Sequence, residues 1–261
     1  MSRSRRFGFK NLLPVLIVAG MPIRGHAAST GAAAREVLVS AAASLKDVLG
    51  AITPAFEKAN PGIKLTFNYG ASGQLRMQIE NGAPVDLFIS AAMSDMDTLE
   101  QKALIVPGTR KVVAKNTLVL VRNRANHPEI SKLEDLTKEN ITRIAMGNPA
   151  TVPAGRYAKE TLEKRGIHER LKDKLILAEN VRQVLDYVAR GEVDAGFVYK
   201  TDALIEPKSE VVETIPSDQH QPILYPAAIL KTGKNVPDAK RFMKFLRSRA
   251  GSKTFQTYGF E

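Results

Sequence analysis

The stretch Glu36-Val37-Leu38-Val39-Ser40-Ala41-Ala42-Ala43-Ser44 decides the fold class of this chain. Its first half is a short aliphatic run typical of a buried strand, and its second half is a junction of small residues. Apolar residues then follow at helical spacing: Leu45, Val48, Leu49, Ile52 and Phe56. The stretch therefore predicts a strand, a tight junction and a helix in direct succession.

The same succession recurs along the chain. Further strands are predicted at residues 64–69, 85–90, 117–122, 144–147, 175–179, 195–199, 211–215 and 223–229. Further helices are predicted at residues 72–81, 93–102, 155–165, 181–190, 237–249 and 252–258. Such alternation predicts parallel sheets covered by helices, an α/β class. Residues 111–122 separate two groups of these units, which predicts two lobes joined by extended crossing segments, with ligand bound where strand ends meet helix starts.

Composition excludes several classes of site. The chain has 261 residues, of which 44% are hydrophobic and 25% charged, so it can bury a core in one large domain or two lobes. It has no cysteine, which excludes disulfides, thiolate metal sites, iron–sulfur clusters and cysteine nucleophiles. Its four histidines are scattered without a helical partner, which argues against a metal site built on histidine.

The net charge of +11 is concentrated at the N-terminus. Five basic residues and no acidic residue fall within positions 1–30, which leaves about +6 on the remainder, with 33 Lys and Arg against 27 Asp and Glu. That remainder has no long basic run and no tryptophan for base stacking. Nucleic acid is therefore not a predicted partner.

The N-terminus has the pattern of an export signal. Basic residues precede an apolar stretch at 12–21, about ten residues long, where a membrane-spanning helix needs about 20. The small residues of Gly25-His26-Ala27-Ala28 follow and suit a signal peptidase. We predict that residues 1–28 are removed and that the mature protein works in the periplasm. Ser4-Arg5-Arg6-Phe7 also half-matches a twin-arginine signal, so the export route stays open.

Four strand-to-helix junctions carry small or hydroxyl-bearing residues: 40–44, 68–73, 147–155 and 179–181. Each would present free backbone N–H groups at the start of a helix, where the partial positive charge favours an anion. Ser44 and Ser72 add hydroxyl donors. An alternative interpretation is structural: Ser44 has capping-box spacing to Asp47, and Ser72 and Asn180 could cap their own helices. Several junctions at one edge of two sheets favour a shared cleft.

Enzymatic motifs are weak or missing. Gly70-Ala71-Ser72-Gly73-Gln74 looks like a nucleophile elbow, but Gln74 stands where that motif requires glycine. The sequence has no Ser-x-x-Lys, no P-loop and no G-x-G-x-x-G. We predict a non-enzymatic protein without a cofactor, and an exported hydrolase using Ser72 or Ser44 stays as the alternative.

At the same junctions the sequence resembles the periplasmic molybdate-binding proteins of ABC transporters. The matching segments are 41–45, 70–75, 78–91, 147–149, 152–158, 178–182, 196–199 and 258–260, in order along the mature chain. The resemblance implies a two-lobed periplasmic-binding-protein fold of type II, with a mixed, mostly parallel sheet flanked by helices in each lobe and the ligand cleft between them. We expect lobe 1 at residues 29–114 with 228–261, and lobe 2 at 115–227.

The resemblance also implies a ligand site. One lobe would hold a tetrahedral oxyanion through the hydroxyls and N–H groups of Ser44 and Ser72. The other would use the N–H groups of Ala154 and Val181 and the hydroxyl of Tyr199, with no metal cation. Ala92 departs from the family, where many relatives have aspartate, but that position is not among the implied contacts.

The implied contacts suit a fully deprotonated dianion, because such an anion offers only acceptors and the five positions offer donors, none of them acidic. Phosphate, which keeps a proton near neutral pH, would need an acceptor, so we expect it to bind poorly. The resemblance implies molybdate, with tungstate close behind, delivered by a monomer to a membrane permease. Sulfate or another small oxyanion or organic anion is the alternative ligand. A ligand-sensing domain of a transcription regulator is disfavoured by the export signal.

Overall fold

The computed structural model describes residues 34–125 and 129–261. The predicted export signal, residues 1–28, lies outside this described part of the chain. Within it, ten β-strands alternate with nine α-helices and a few single turns of 3-10 helix. No helix of the described ranges is both long and apolar enough to cross a membrane.

The elements follow the predicted alternation closely. The strands are β1 (Arg35–Ala42), β2 (Ile63–Gly70), β3 (Leu87–Ile89), β4 (Lys111–Lys115), β5 (Leu118–Asn123), β6 (Ile144–Gly147), β7 (Leu175–Ala178), β8 (Ala195–Tyr199), β9 (Ser209–Thr214) and β10 (Leu224–Ile229). The helices are α1 (Lys46–Ala59), α2 (Ser72–Glu80), α3 (Met93–Gln101), α4 (Pro153–Lys164), α5 (His168–Leu171), α6 (Val181–Ala189), α7 (Lys200–Ile205), α8 (Val236–Leu246) and α9 (Arg249–Thr257).

The strands form two sheets of five with the same internal plan. The first has the order β2-β1-β3-β10-β4 and the second the order β7-β6-β8-β5-β9. In each, three neighbouring strands pair in parallel and the fourth is antiparallel to both of its neighbours. Four of the five strands in each sheet therefore run in one direction, which confirms the predicted α/β class with two mixed, mostly parallel sheets.

Helices cover the faces of both sheets. Helices α1, α2, α3 and α8 pack on the first sheet, with α9 against α1 and α8, and helices α4, α6 and α7 pack on the second, with α5 against α4. We call each sheet with its helices a lobe, lobe 1 and lobe 2. Strand β8 is buried at every residue, as expected for a strand covered on both faces. The predicted apolar face of α6 is buried too, with Val184 and Val188 fully inaccessible.

The chain crosses between the lobes twice. The first crossing is Asn116 and Thr117, between β4 and β5, and the second is residues 215–223, between β9 and β10. The N–H of Asn116 donates to the carbonyl of Ile223 at 3.1 Å, which ties the two crossings together. The predicted change of lobe between residues 227 and 228 falls inside β10, because all of Leu224–Ile229 lies in the first sheet, paired with β3 and β4.

Candidate anion-binding site

The carboxyl ends of the parallel strands in both lobes lead into helices that begin around one small cavity. The volume open to the centre of a water-sized sphere in this cavity is about 10 Å³. Its lining includes all five residues that the resemblance implied as ligand contacts: Ser44, Ser72, Ala154, Val181 and Tyr199. The structure therefore brings the five together, although they come from five separate junctions of the chain. Their contact with an anion stays a prediction.

The cavity is built from small and apolar residues, with few polar side chains. None of the described residues that line it carries a formal charge. Asn180, one of the polar residues there, acts as the N-cap of α6, since its Oδ1 accepts from the N–H groups of Arg182 and Gln183 at 3.0 and 3.1 Å. That capping role is as predicted. Any anion in the cavity would therefore meet dipoles rather than cations.

Ser72 presents a hydroxyl proton to the cavity. It is the first residue of α2 and is fully buried, and the N–H of Ala91 donates to its Oγ at 2.9 Å. A backbone N–H can only donate, so the Ser72 oxygen is the acceptor in this bond and its own proton stays available. The alternative interpretation of Ser72 as a helix cap is wrong, because the N-cap position is Ala71 and no side chain caps α2.

Ser44 is the second serine of the cavity lining. It lies in the 3-10 turn that precedes α1 and is 2% exposed. Its Oγ is 2.9 Å from the hydroxyl of Tyr225 on β10. The predicted capping box with Asp47 does not form, since no side chain caps this turn or α1. The carboxylate of Asp47 instead pairs with Arg182 of lobe 2 at 2.7 Å. A tertiary partner has replaced the local one.

Two backbone N–H groups face the cavity from lobe 2. Ala154 is the second residue of α4, after Pro153, and Val181 is the first residue of α6. N–H groups in the first turn of a helix have no partner within that helix. Neither of these two groups donates to any acceptor in residues 34–125 or 129–261. They are unsatisfied donors at the positive ends of two helix dipoles.

Tyr199 contributes the third donor of lobe 2. Its hydroxyl is completely buried and has no hydrogen-bond partner among the described residues. Burial raises the pKa of this phenol well above its usual value of 10, so the hydroxyl keeps its proton. A buried donor without an acceptor costs free energy of about 1–3 kcal/mol. An acceptor ligand in the cavity would remove that cost.

Contacts between the two lobes surround the cavity. The N–H of Gly73 in α2 donates to the carbonyl of Thr151 at 2.9 Å. The hydroxyl of Tyr157 in α4 donates to the carbonyl of Ala91 at 3.1 Å. A methyl group at Gly73 would lie 2.7 Å from the Thr151 oxygen, so this approach requires glycine. The lobes are therefore closed on each other around an enclosed space.

Ion pairs form an outer ring at the same interface. Arg156 of lobe 2 pairs with Asp95 of lobe 1, and Arg182 of lobe 2 pairs with Asp47 of lobe 1. Arg182 also places its Nε 2.6 Å from Oδ1 of Asp202, which is fully buried. Burial raises the pKa of Asp202 to about 6, against the opposing effects of Arg182 and the Tyr199 N–H. Each arginine therefore has a carboxylate partner outside the cavity.

Hydrolytic machinery is missing from the described residues around Ser44 and Ser72. His168 contacts Glu169, and His220 contacts the carbonyl of Gln221, and neither histidine lines the cavity. No described carboxylate or imidazole bonds to either serine hydroxyl. The described ranges also contain no group of three or more side chains that could hold a metal ion. The chemistry available at the cavity is binding by hydrogen-bond donors.

Sequence reasoning missed the residues that support these donors. Tyr225 contacts Ser44, Ala91 contacts Ser72, and Asn116 contacts Tyr225, each from another part of the chain. No local pattern identifies such contacts. Ala92, the departure from the family pattern, is the N-cap of α3 and does not line the cavity.

Comparison with known proteins gives a consistent picture. The pattern of the protein family described as "Bacterial extracellular solute-binding protein" matches residues 37–261. The molybdate-binding protein ModA of Haemophilus influenzae is 38% identical over 232 residues, 88% of this chain and 91% of that protein.

Two solved structures have the same fold. The substrate-binding domain of a putative molybdenum ABC transporter from Clostridium difficile has a TM-score of 0.67 and 43% identity, over 87% of this chain and 98% of that one. The periplasmic molybdate-binding protein of Azotobacter vinelandii has a TM-score of 0.77 and 24% identity, over 86% of this chain and 98% of that one.

Proposed function

The chain is a member of the bacterial extracellular solute-binding protein family, and we propose that it captures molybdate for uptake by an ABC transporter. The observation that carries this proposal is the set of uncharged donors in one enclosed cavity. Two serine hydroxyls, two free N–H groups and the unpartnered Tyr199 hydroxyl converge there, and the described lining includes no carboxylate. The similarity to ModA of Haemophilus influenzae supports molybdate as the anion.

Donors alone suit a fully deprotonated tetrahedral dianion, since each of its oxygens can only accept. Molybdate, tungstate and sulfate share this property at neutral pH. Hydrogenphosphate keeps a proton that would meet no carboxylate, and pairing it with a hydroxyl that is needed as a donor is costly in a buried site. We therefore propose that phosphate is rejected by the pattern of hydrogen bonds.

Cavity size supports a small inorganic ligand. Pockets for drug-sized organic molecules usually measure about 300–1,000 Å³, whereas the volume open to the centre of a water-sized sphere in this cavity is about 10 Å³. A bulky organic anion would have to hold the lobes apart. Molybdate and tungstate have longer bonds to oxygen than sulfate, so we propose that they fill the donor set better and that sulfate binds more weakly.

Family membership supports delivery of the anion to a membrane permease. Its members act outside the cytoplasm, and the predicted export signal at residues 1–28 fits a periplasmic location. We propose that the protein acts as a monomer without catalysis, and that closure of the two lobes marks the loaded state for a membrane permease. Ligand-biased closure of this kind needs only a higher affinity for the closed state.

Calorimetric titration tests the proposal. The mature protein is unfolded and refolded to remove bound ligand, then titrated with molybdate, tungstate, sulfate and phosphate. We expect tight one-to-one binding of molybdate and tungstate, weak binding of sulfate and the weakest binding of phosphate. Tight sulfate binding with weak molybdate binding would identify a sulfate receptor, and tight phosphate binding would contradict the donor-only site.

A further inference from the structure

A chain of hydrogen bonds runs from the first crossing between the lobes to the cavity. Nδ2 of Asn116 is 3.2 Å from the hydroxyl oxygen of Tyr225, and that oxygen is 2.9 Å from Oγ of Ser44. Nδ2 of Asn116 also donates to Oγ1 of Thr201 at 2.8 Å. Tyr225 is completely buried, and Thr201 is 3% exposed. The chain therefore connects a residue of the crossing to a residue of the ligand site.

The orientation of the Asn116 amide is fixed by its backbone neighbour. The N–H of Thr117 donates to Oδ1 of Asn116 at 2.9 Å. A backbone N–H can be satisfied only by an oxygen, so the other end of the amide, which faces Tyr225 and Thr201, is the nitrogen. One amide hydrogen goes to Tyr225 of lobe 1 and the other to Thr201 of lobe 2.

That amide sets the direction of every proton beyond it. Asn116 can only donate to Tyr225, so the Tyr225 oxygen is an acceptor there. The Tyr225 proton then needs its own acceptor, and Oγ of Ser44 is the one within hydrogen-bond distance among the described residues. Buried hydroxyls nearly always use their proton. Ser44 therefore accepts from Tyr225, and its own proton is left for the cavity.

We propose that Asn116 and Tyr225 are positioning residues that hold Ser44 as a hydrogen-bond donor toward the anion, and so select oxyanions that carry no proton. This inference rests on the proposed function. Ser72 is held in the same polarity by the N–H of Ala91. Each serine oxygen therefore accepts a hydrogen bond whose direction is set by a group that can only donate, which leaves the serine proton for the cavity. For Ser72 that group is a backbone N–H, and for Ser44 it is the Asn116 amide, acting through Tyr225.

Asn116→Asp tests the direction of the chain. The carboxylate keeps the bond from Thr117 and replaces Nδ2 by an oxygen of the same size. Tyr225 and Thr201 can then reverse and donate to it, so the hydrogen bonds survive with opposite polarity. Ser44 would have to donate to Tyr225 and would turn a lone pair toward the anion. We expect a molybdate affinity loss of about 100-fold or more.

A double-mutant cycle separates this reversal from the added negative charge. In Tyr225→Phe the chain is cut and Ser44 rotates freely, so we expect a loss of about 10-fold or less. Asn116→Asp added to Tyr225→Phe can no longer act through Ser44, and only its charge and its altered bond to Thr201 remain. We expect it to cost at least about 10-fold less there than in the wild-type background. Equal costs in the two backgrounds would overturn the proposal.

Selectivity supplies a readout that a structural role would not move. At mildly alkaline pH hydrogenphosphate and molybdate are both dianions, so added charge affects them alike. Only hydrogenphosphate has a proton for the lone pair that Ser44 presents in Asn116→Asp. We expect the ratio of molybdate to phosphate affinity, measured by displacement, to fall by about 10-fold or more. An unchanged ratio would contradict the proposed chain of hydrogen bonds from Asn116 through Tyr225 to Ser44.

The ligand-free protein separates failure of this inference from failure of the proposed function. If the wild type binds none of the four anions, the proposed function fails. The direction of the hydrogen bond between Tyr225 and Ser44 is then measured by NMR. The Tyr225 hydroxyl proton is assigned by its loss in Tyr225→Phe. We expect a nuclear Overhauser effect from it to the Ser44 β-protons. A Tyr225 hydroxyl proton directed away from Ser44 would overturn the proposed roles of Asn116 and Tyr225, whatever the ligand.

Discussion

Around the cavity, Arg156 and Arg182 of lobe 2 each pair with a carboxylate of lobe 1, whereas none of the described residues that line the cavity is charged. The two regions are neighbours and both join the lobes. In the outer ring, each arginine pairs with a carboxylate of opposite charge. The cavity offers only hydroxyls and N–H groups, several of them without a partner.

The difference teaches how a buried site can accept a dianion without a cation. A formal charge buried in the empty site would carry a large desolvation cost. Neutral donors carry a smaller one, and they are held in place by helices and strands. In a closed, low-dielectric space such preorganised dipoles are strong. The arginines are paired outside, so they close the lobes without competing for the anion.

The largest test of this contrast removes two donors from the cavity. Ser44→Ala with Ser72→Ala should weaken molybdate binding by about 100- to 10,000-fold, since two charge-assisted hydrogen bonds of about 1.5–3 kcal/mol each are lost. Calorimetry measures the affinity, and Ser40→Ala, a buried serine of β1 that does not line the cavity, is the matched control. Unchanged affinity in the double variant would mean that the anion binds elsewhere.

The next test blocks the approach of the lobes. Gly73→Ala would place a methyl group 2.7 Å from the oxygen and 2.8 Å from the Cα of Thr151, both backbone atoms of lobe 2. We expect this clash to disfavour closure and to reduce affinity by about 10- to 100-fold. Gly50→Ala is the control, because a methyl group there meets nothing within 4 Å. Equal affinities of the two variants would show that closure at Gly73 does not matter.

A smaller loss is expected at Tyr199. Tyr199→Phe removes one donor and leaves the ring, which packs edge-on against Tyr225 at 6.1 Å. Affinity should fall by about 10-fold. The ligand-free protein should become more stable, because the hydroxyl has no partner in the described structure. Thermal unfolding without molybdate measures the stability of the ligand-free protein, and the shift with molybdate measures the affinity. A destabilised ligand-free variant would contradict this prediction.

The smallest effect on affinity is expected at Asp202, in the outer ring, where the change appears in stability instead. Its folded pKa is raised from 3.8 to about 6, so the folded protein binds this proton more tightly than the unfolded chain. The stabilisation is present below pH 3.8 and is lost as the pH rises through 6. Asp202→Asn should lack that loss, which amounts to roughly 3 kcal/mol.

Urea unfolding of wild type and Asp202→Asn at several pH values measures the difference. Asp135→Asn is a control with the opposite sign, because hydrogen bonds from Lys138 and Ser131 lower the pKa of Asp135. That group stabilises the fold above its unfolded pKa, and its contribution is lost as the pH falls. Parallel pH profiles of Asp202→Asn and the wild type would contradict the assignment.

Local pattern predicted most of the fold. Spacing of apolar residues located nearly all strands and helices, because burial of one face depends on near neighbours in sequence. Strand β4 was predicted only as part of an extended crossing, since Lys111 and Lys115 at its ends are exposed. Its place at the sheet edge depends on β10, more than a hundred residues later.

The residues of the site also fall into those that local sequence indicates and those that it does not. Junction residues could be found from small side chains and hydroxyls, and the family resemblance selected five of them. Tyr225 could not be found, because it meets Ser44 across 181 positions of sequence. The capping box at Ser44 and Asp47 was wrong for the same reason: Arg182, from the other lobe, takes the carboxylate. Local spacing does not encode a partner that only folding brings near.

The most direct test of the central claim is a crystal structure of the mature protein with molybdate, with anomalous diffraction recorded at the molybdenum edge. We predict one strong molybdenum peak in the cavity, with oxygens accepting from the hydroxyls of Ser44, Ser72 and Tyr199 and from the N–H groups of Ala154 and Val181. A peak elsewhere, such as the exposed groove beside Lys111, Lys240 and Lys244, with the cavity empty, would contradict it.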